Sequence, residues 1–473
     1  MQQEQILLRS DHFHLFAGLG PIVEGYVIIA PHRCDVSRGG FRTMAEVPPE
    51  LLDELVFLRG IVTRFYLEVY EFEGCLCFEH GRAGTCGVGD TPHCYHAHLC
   101  CFPDSSPIWS DVRVARRHIQ RIKGFGDLGP VAGASPFLLV QNLRIDHRFL
   151  PHRAQRQSWQ SHVLVLDTET QIPRQYLRRL LAERAGRPDL WDWAAAPCVP
   201  KVRSLCTRFR EWLIGKSELP VRWNRTNTPC LNFLEAVRAC NSAAYDLIAR
   251  RFDRQWSRPK SSMRKIMTDF AKLIGRFKGR HERGKRGRNL RLLDAGCGPG
   301  IHLNVFRDKG FSCVGVDRSK AMLAVAADKL AGGKPVSARP SLELWHEDAF
   351  DLKSFEPESF DAIWYCALMV HLPRRFAKAT IDTLHRILRP EGVLYLSAQT
   401  GGDAAFRRDR RFFVYYTRPE LESKFQAAGF EVLKRWHART DESTCGDRHT
   451  KYWINYFVTK PVKQRKKTQP PCE

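Results

Sequence analysis

The run Asp294-Ala-Gly296-Cys297-Gly298-Pro299-Gly300 holds residue types and spacing that suggest chemistry directly. Glycines in such a turn let a bound ligand approach the backbone where a Cβ would clash. Farther along, Phe311–Asp317 reads as an apolar strand ending in an acid. A carboxylate at that tip can accept both hydroxyls of a ribose. His346-Glu347-Asp348-Ala349 supplies another acid, able to accept from an adenine amine. Phe360–Cys366 runs into Ala367-Leu-Met-Val-His371-Leu-Pro373, where His371 can take a proton from a hydroxyl or an amine. In the other half, Cys94-Tyr-His96-Ala-His98-Leu-Cys100-Cys101 has a period of two, so on a strand His96, His98 and Cys100 share one face. Two imidazoles on one face can attack and polarise a phosphoryl group.

These residues need elements to hold them. Around the glycine turn the pattern predicts a strand ending at Asp294, an amphipathic helix with Ile301, Val305 and Phe306 on one face, and strands at Phe311–Asp317, Leu342–Trp345, Phe360–Cys366 and Val393–Ala398. A helix over Arg375–Leu388 lies between the last two, and the alternation implies a parallel, helix-covered sheet. Around the histidines, Gly20–Pro31 reads as a hairpin with a buried second strand, followed by a helix over Pro48–Tyr66 and then the run Leu76–Gly81. The expected domains are residues 1–200, a connector 201–240, a second domain 241–460, and a basic, disordered tail 461–473.

Composition narrows the class. The 473 residues carry 74 Lys+Arg against 51 Asp+Glu, a net charge of +23 that favours anionic partners without choosing among nucleotides, nucleic acid and lipid. The longest uncharged apolar stretch, near Ala362–Val370, is too short to span a membrane. No secretory signal is visible, and the 16 cysteines are spread along a long chain, so a cytoplasmic protein with reduced thiols is expected. Arg276–Arg291 holds eight basic residues and one acid, and its three glycines predict a helix-free, mobile surface loop outside the main site.

The C-terminal half resembles the class I S-adenosylmethionine-dependent methyltransferases, with a Rossmann-like α/β fold, over about 220 residues. DAGCGPG, VGVDRSKAML, EDAF, FDAIWYCALMVHLP, LHRILRPEGVLYLSA and the pair AGFEVLKRW and KYWINYFVTK carry the resemblance. It implies S-adenosylmethionine as cofactor, with Asp294, Gly296 and Gly298 facing its methionine part. Asp317 would hold the ribose and Met322 would lie against the adenine, with Asp348 and Ala349 at the adenine edge. Cys366 and His371 would stand where a small-molecule methyl acceptor approaches, and Tyr415 and Tyr416 in an insert that shapes its pocket. A dehydrogenase shares the fold, but the third position of its G-x-G-x-x-G fingerprint is Ile301 here. The Asn/Asp-Pro-Pro-aromatic pattern of amino-group DNA methyltransferases is absent after strand four.

The N-terminal half resembles the HIT-like (histidine-triad) nucleotide-binding proteins, an α+β fold, over roughly residues 5–195, through GPIVEGYVIIAPHRCDVS, FEHG and YHAHLC. The resemblance implies His98 as a nucleophile toward an α-phosphate, supported by His96, with Arg178 and Arg179 meeting phosphate or lying on a solvated helix face. Cys100 stands where the triad has its third histidine, so turnover should be slow and Cys100→His should raise it. Nucleotide binding without turnover, a dimerisation role, and an RNA-binding methyltransferase are the alternatives. Ten Cys and His residues from Cys75 to Cys101 also raise a zinc reading. Paired C-x-x-C knuckles are lacking and alternation sends many of these residues to opposite faces, so no metal is expected.

Overall fold

The computed structural model describes residues 5–33, 40–82, 97–112, 119–146, 156–167, 172–281, 290–331, 340–407, 409–439 and 452–462. The chain divides into two compact units. One takes in residues 1–240 together with 402–414, the other residues 241–401, 415–440 and the last strand. The segment 201–240, expected to be a connector, thus folds with the first unit.

The first unit is built on one sheet. Its elements are β1 (Ile6–Arg9), β2 (Phe13–Ala17), β3 (Val27–Pro31), α1 (Pro49–Val69), β4 (Cys75–Gly81), β5 (Leu99–Phe102), β6 (Ile119–Ile122), α2 (Leu128–Ala132), β7 (Phe137–Asp146), β8 (Arg156–Val165), α3 (Tyr176–Arg184), α4 (Val199–Ile214), β9 (Val221–Trp223) and β10 (Pro229–Leu231), with α5 (Phe233–Trp256) beginning there. The strand order is β6-β8-β7-β4-β5-β3-β2-β1-β10-β9, antiparallel except for β1 beside β10. The hairpin expected within Gly20–Pro31 is in fact β2 with β3, and Gly18–Tyr26 is its connection. Pro21 and three glycines at 18, 20 and 25 favour turns over a strand there.

Side-chain alternation splits this sheet cleanly. Leu76 and Phe78, Cys100 and Phe102, Leu138 and Val140, and Leu164 form one core with Leu177, Leu180 and Leu181 of α3. Cys75, Cys77 and Cys101 face the other way, toward Arg59 and Thr63 of α1. Residues 402–414, from the middle of the C-terminal half, complete the α1 side of this unit: Phe57 meets Phe406 and Phe412 edge-on or tilted, and Asp403 accepts from the Phe125 and Gly126 amides.

The second unit is a Rossmann-like α/β sheet. It comprises α6 (Ser261–His281), β11 (Leu290–Ala295), α7 (Leu303–Arg307), β12 (Phe311–Asp317), α8 (Lys320–Ala331), β13 (Leu342–His346), β14 (Phe360–Tyr365), α9 (Ala377–Ile387) and β15 (Leu388–Gln399). The short β16 (Ala405–Phe406) and β17 (Phe412–Phe413) pair within the first unit; α10 (Arg418–Ala428), β18 (Glu431–Arg439) and β19 (Tyr452–Thr459) complete the second. The order is β13-β12-β11-β14-β15-β19-β18, with β11 to β15 parallel and β19 antiparallel to both neighbours. The order reverses between β11 and β14, the switch point where ligands of such sheets bind at the strands' carboxyl ends.

Local sequence explains the boundaries. In α9, Ala377, Thr380, Ile381, Leu384 and Ile387 are buried at helical spacing, and the helix stops ahead of Arg389-Pro390, where the residue before proline disfavours αR. Helix α10 starts with a Thr417/Glu420 capping box and stops at Gly429 in the left-handed region. Met267, Phe270 and Ile274 of α6 pack with Leu292, Trp364, Tyr395 and Phe457 into the core. This helix runs through Arg276 to His281, so the first part of the basic stretch is helical, contrary to expectation. The apolar face of α6 is buried, which outweighs the cost of about 1 kcal/mol per helical glycine at Gly275 and Gly279. Residues 282–289 and the tail beyond 462 lie outside the described residues. No described helix is long and apolar enough to cross a membrane.

Candidate active site

The glycine turn leaves β11 at Ala295 and folds back under β12. The Gly296 and Cys297 amides both donate to the Val316 carbonyl, at 2.8 and 2.9 Å. Gly296 and Gly298 sit at φ +72° and +52°, where glycine carries no steric penalty. A Cβ added at Gly298 would meet nothing within 4 Å, so the turn faces open space. Asp317, at the tip of β12, fastens the turn. Its Oδ2 accepts from Gly298 N–H and its Oδ1 from Ser319 N–H, both at 2.8 Å. Burial raises the Asp317 carboxyl and these amide donors oppose that.

Asp294 is the unusual member. It is buried, and among the described residues nothing hydrogen-bonds its Oδ2. The nearest ring nitrogen, His302 Nδ1, is 4.0 Å away. That nitrogen accepts from Trp364 Nε1–H at 3.2 Å, so it presents a lone pair rather than a proton, and burial holds the ring down at about 4. Burial, then the neighbouring Asp317, push the Asp294 carboxyl up to about 8. A buried carboxylate oxygen with no donor calls for a cation or a hydrogen-bond donor from outside.

The remaining expected cofactor residues lie around the same end of the sheet. Asp348 Oδ1 accepts from Phe350 N–H at 2.8 Å, and its Oδ2 pairs with Arg318 at 3.1 Å, a half-exposed pair worth little by itself. Ala349 and Met322 are buried, with Met322 N–H held by Ser319 Oγ at 3.1 Å. Cys366 follows β14. Burial and Asp294 push its thiol up to about 12, so it stays protonated and lines the space rather than attacking. Ala367 takes φ +55° there, its amide held by Ser397 Oγ at 2.8 Å.

His371 ends a short 3-10 turn after β14 and is buried. Tyr245 of α5 brings its hydroxyl to 2.8 Å from His371 Nε2, the two rings edge to face. Helix α5 is fixed by Asp246, whose carboxylate accepts from Ser319 Oγ at 2.6 Å and Ala321 N–H at 3.1 Å, on the turn after β12. Sequence reasoning missed Tyr245, Asp246 and His302. Tyr245 and Asp246 lie on a helix remote in sequence from the glycine turn, and only His302, two residues past Gly300, carried a local signal. Tyr416 donates to the Leu372 carbonyl at 2.5 Å, and Arg374 to the Tyr415 carbonyl; both tyrosines are buried supports of the loop around His371.

In the first unit, His98 precedes β5 instead of lying on it, and His96 falls outside the described residues. The His98 main chain contributes a hydrogen bond to the buried Glu79 carboxylate, which also accepts Met44 N–H at 2.9 Å. Burial pushes Glu79 up to about 8. His80 Nε2 accepts from Leu177 N–H at 3.0 Å, and burial, then His98 and Arg178, take its ring down to about 3. Cys100 is buried with its Sγ 3.1 Å from Tyr26 Oη, inside the apolar core. Arg178 and Arg179 depart from expectation. Arg178 is buried, donating to the Gly20 carbonyl at 2.6 Å and the Trp191 carbonyl at 2.9 Å. Arg179 stacks on Trp191 at 3.6 Å. Backbone carbonyls and a ring thus engage side chains that sequence alone offered to phosphate or water, although Arg178 Nη1 is buried without a partner among the described residues.

Residues 247–435 match the family described as a methyltransferase domain. The chain is 32% identical over 108 residues to a ubiquinone biosynthesis O-methyltransferase of Pseudomonas syringae pv. tomato, covering 23% of this chain and 43% of that protein. With the protein of the same name from Pseudomonas entomophila it shares 30% identity over 159 residues, covering 30% of this chain and 65% of that protein. It thus spans less than half the length of the first of these relatives. Among solved structures, a SAM-dependent methyltransferase of Methanosarcina mazei aligns with 18% identity and a TM-score of 0.33, over 37% of this chain and 95% of that one. The second unit thus matches a methyltransferase-domain family over most of its length.

Proposed function

We propose that this chain transfers a methyl group from S-adenosylmethionine to a small-molecule acceptor at the carboxyl ends of β11, β12 and β14. The observation that carries this reading is Asp294, a buried carboxylate with an unbonded oxygen beside a glycine turn that opens onto free space. That arrangement fits a ligand with a positively charged amino group and a backbone-hugging shape. When bound, the cofactor supplies an electrophilic methyl group on a sulfonium. Asp294 would hold the amino acid end, Asp317 the ribose hydroxyls, and Asp348, Ala349 and Met322 the adenine. Asp348 would exchange its Arg318 contact for this role.

On the acceptor side, the Tyr245–His371 pair receives the proton of an acceptor hydroxyl. The two relatives named above are O-methyltransferases by name, which agrees with a hydroxyl acceptor. His371 reaches its partner through Nε2, so the pair positions one proton between imidazole and phenol. Much of the rate in such transfers comes from holding donor and acceptor in line. Calorimetry of S-adenosylmethionine binding to the full chain tests the reading. Asp317→Ala should weaken binding at least about tenfold, since hydrogen bonds to a charged group are worth about 1.5–3 kcal/mol. An unchanged affinity would overturn it.

For the first unit we infer a nucleotide-binding role of the HIT-like kind. The support is a hairpin, helix and strand pair in the order β2, β3, α1, β4, β5, with His98 at the entry to β5 and beside Glu79 and His80. His98 would attack a nucleotide α-phosphate, with His96 assisting. Trapping a nucleotidyl adduct that is lost in His98→Ala supports turnover; activity that survives that substitution rejects it.

A further inference from the structure

In the second unit, the outward faces of α6 and of the C-terminal half of α5 carry charge of one sign. Between residues 246 and 276 stand nine basic residues, and all nine are exposed. Three acids share that span. Asp246 is engaged with Ser319 and Ala321, and Asp253 with Lys329 at 2.5 Å, which leaves Asp269. Among the described residues no carboxylate pairs with Arg250, Arg251, Arg254, Lys265, Lys272 or Arg276. Neither proposed activity uses them.

Helical geometry gathers these cations. At about 100° per residue, Lys265, Lys272 and Arg276 fall within about 40° of one another on α6, along about 16 Å of its axis. Their face is opposite Met267, Phe270 and Ile274, which are buried in the core. On α5, Arg250, Arg251 and Arg254 form a stripe with Leu247, which is 82% exposed, and helical spacing turns that stripe away from Tyr245. The corner between the helices is fixed. Arg264 Nε donates to the Pro259 carbonyl at 3.3 Å, and Lys260 Nζ lies 5.3 Å from the centre of the Trp256 ring. Like charges three or four residues apart, as in Arg250–Arg254, Arg251–Arg254 and Lys272–Arg276, repel and weaken the helix that carries them. A bound polyanion converts that repulsion into attraction.

We propose that this surface binds a nucleic acid strand through its phosphodiester backbone, without reading sequence. Regularly spaced phosphates complement a row of exposed cations, and release of condensed counterions drives such binding. An anionic membrane is the poorer match, because a helix lying in a bilayer interface needs an apolar face toward the lipid. The apolar face of α6 is buried, and Leu247 is the one apolar side chain in the α5 stripe. Tyr245 and its partner His371 lie on the other side of α5, so the bound strand is held by the second unit and is not itself the methyl acceptor. The proposal therefore goes beyond the methyl-transfer reading and does not depend on which small molecule is methylated.

The test is fluorescence anisotropy on the full chain with a labelled single-stranded RNA of about 20 nucleotides, long enough to follow both helices. Duplex DNA of equal length separates the two sources of phosphodiester. Binding should weaken with salt, with a log–log slope near about −0.7 per phosphate contacted on the single strand. Arg250→Gln, Arg254→Gln, Lys265→Gln and Lys272→Gln together should weaken binding at least about tenfold and flatten that slope by about 2 to 3, since four contacts are lost. The control combines Lys201→Gln, Arg203→Gln, Arg222→Gln and Arg225→Gln in the first unit, where all four side chains are exposed. It removes the same charge and should change affinity less than about threefold, because charges that touch no phosphate act through screening solvent. On the unmodified protein, RNA should protect Lys265 and Lys272 from acetylation, read by peptide mass spectrometry, and leave Lys201 reactive. Absent or salt-independent binding, an equal loss in the control, or uniform protection of lysines overturns the proposal. So does binding to phosphatidylcholine–phosphatidylserine vesicles with none to either nucleic acid.

Discussion

Asp294 gives the sharpest test of how the second unit recognises its cofactor. With its carboxyl near 8, the free protein holds Asp294 protonated at neutral pH. A cationic amino group selects the carboxylate, so binding must expel a proton. From about pH 6 to pH 7 the affinity should rise about tenfold, the equivalent of about 1.4 kcal/mol per unit. Calorimetry at about pH 7 in two buffers of different ionisation enthalpy should report close to one proton released. Asp294→Asn keeps the shape of the protonated side chain and removes the charge. Near pH 8 it should weaken binding by about 1.5–3 kcal/mol, roughly 10–150-fold. Near pH 6 the wild type loses about that much to deprotonation, so the two proteins should converge. The same shift acts on folding. A carboxyl raised in the folded state costs stability as pH climbs from about 4 toward 8, so Asp294→Asn should flatten that decline in a thermal unfolding series. No proton exchange, or an Asn variant that keeps the pH slope, would refute the reasoning.

Three further outcomes follow from the geometry. Tyr245→Phe should lower kcat for a hydroxyl acceptor about 10- to 100-fold with cofactor affinity intact, because His371 Nε2 loses its hydroxyl partner; a change in cofactor affinity alone would contradict this. Cys100→His should destabilise the first unit by about 1–3 kcal/mol through overpacking against Tyr26, Phe78 and Phe102, without raising any nucleotide turnover; faster turnover in a stable protein would show that position 100 can open to the site. Arg178→Met should cost about 3 kcal/mol in chemical denaturation, since it removes two charged hydrogen bonds to buried carbonyls; a loss under about 1 kcal/mol would mean that the unit re-forms around the gap.

The second unit was legible because its chemistry and its fold share the same residues. Asp294, the glycines and Asp317 mark both the strand ends and the proposed site, and short βα loops leave little freedom in between. What escaped notice came from distant elements. Tyr245 reaches His371 across more than a hundred residues of sequence, and nothing in helix α5 announces it. Arg178 looked like a surface or phosphate-binding residue because its carbonyl partners at Gly20 and Trp191 exist only once the turns fold. The basic stretch was misjudged at its start because the buried face of α6, Met267, Phe270 and Ile274, carries the helix past Gly275 and Gly279. The cysteines could not be sorted from sequence until the strand ends were fixed, since a one-residue shift of register exchanges the faces. The segment 402–414 interrupts the methyltransferase pattern yet supplies Asp403 and Phe412 to the first unit, a long-range arrangement no local pattern encodes.

We propose that the turn at Gly298 cradles S-adenosylmethionine, and one titration tests this most directly. Calorimetry on the full wild-type chain should show one saturable site. Gly298→Val, which places a branched side chain at φ +52° and into the space the turn faces, should abolish detectable binding while far-ultraviolet circular dichroism stays unchanged. No binding by the wild type, or equal affinity in a folded Gly298→Val protein, would contradict it.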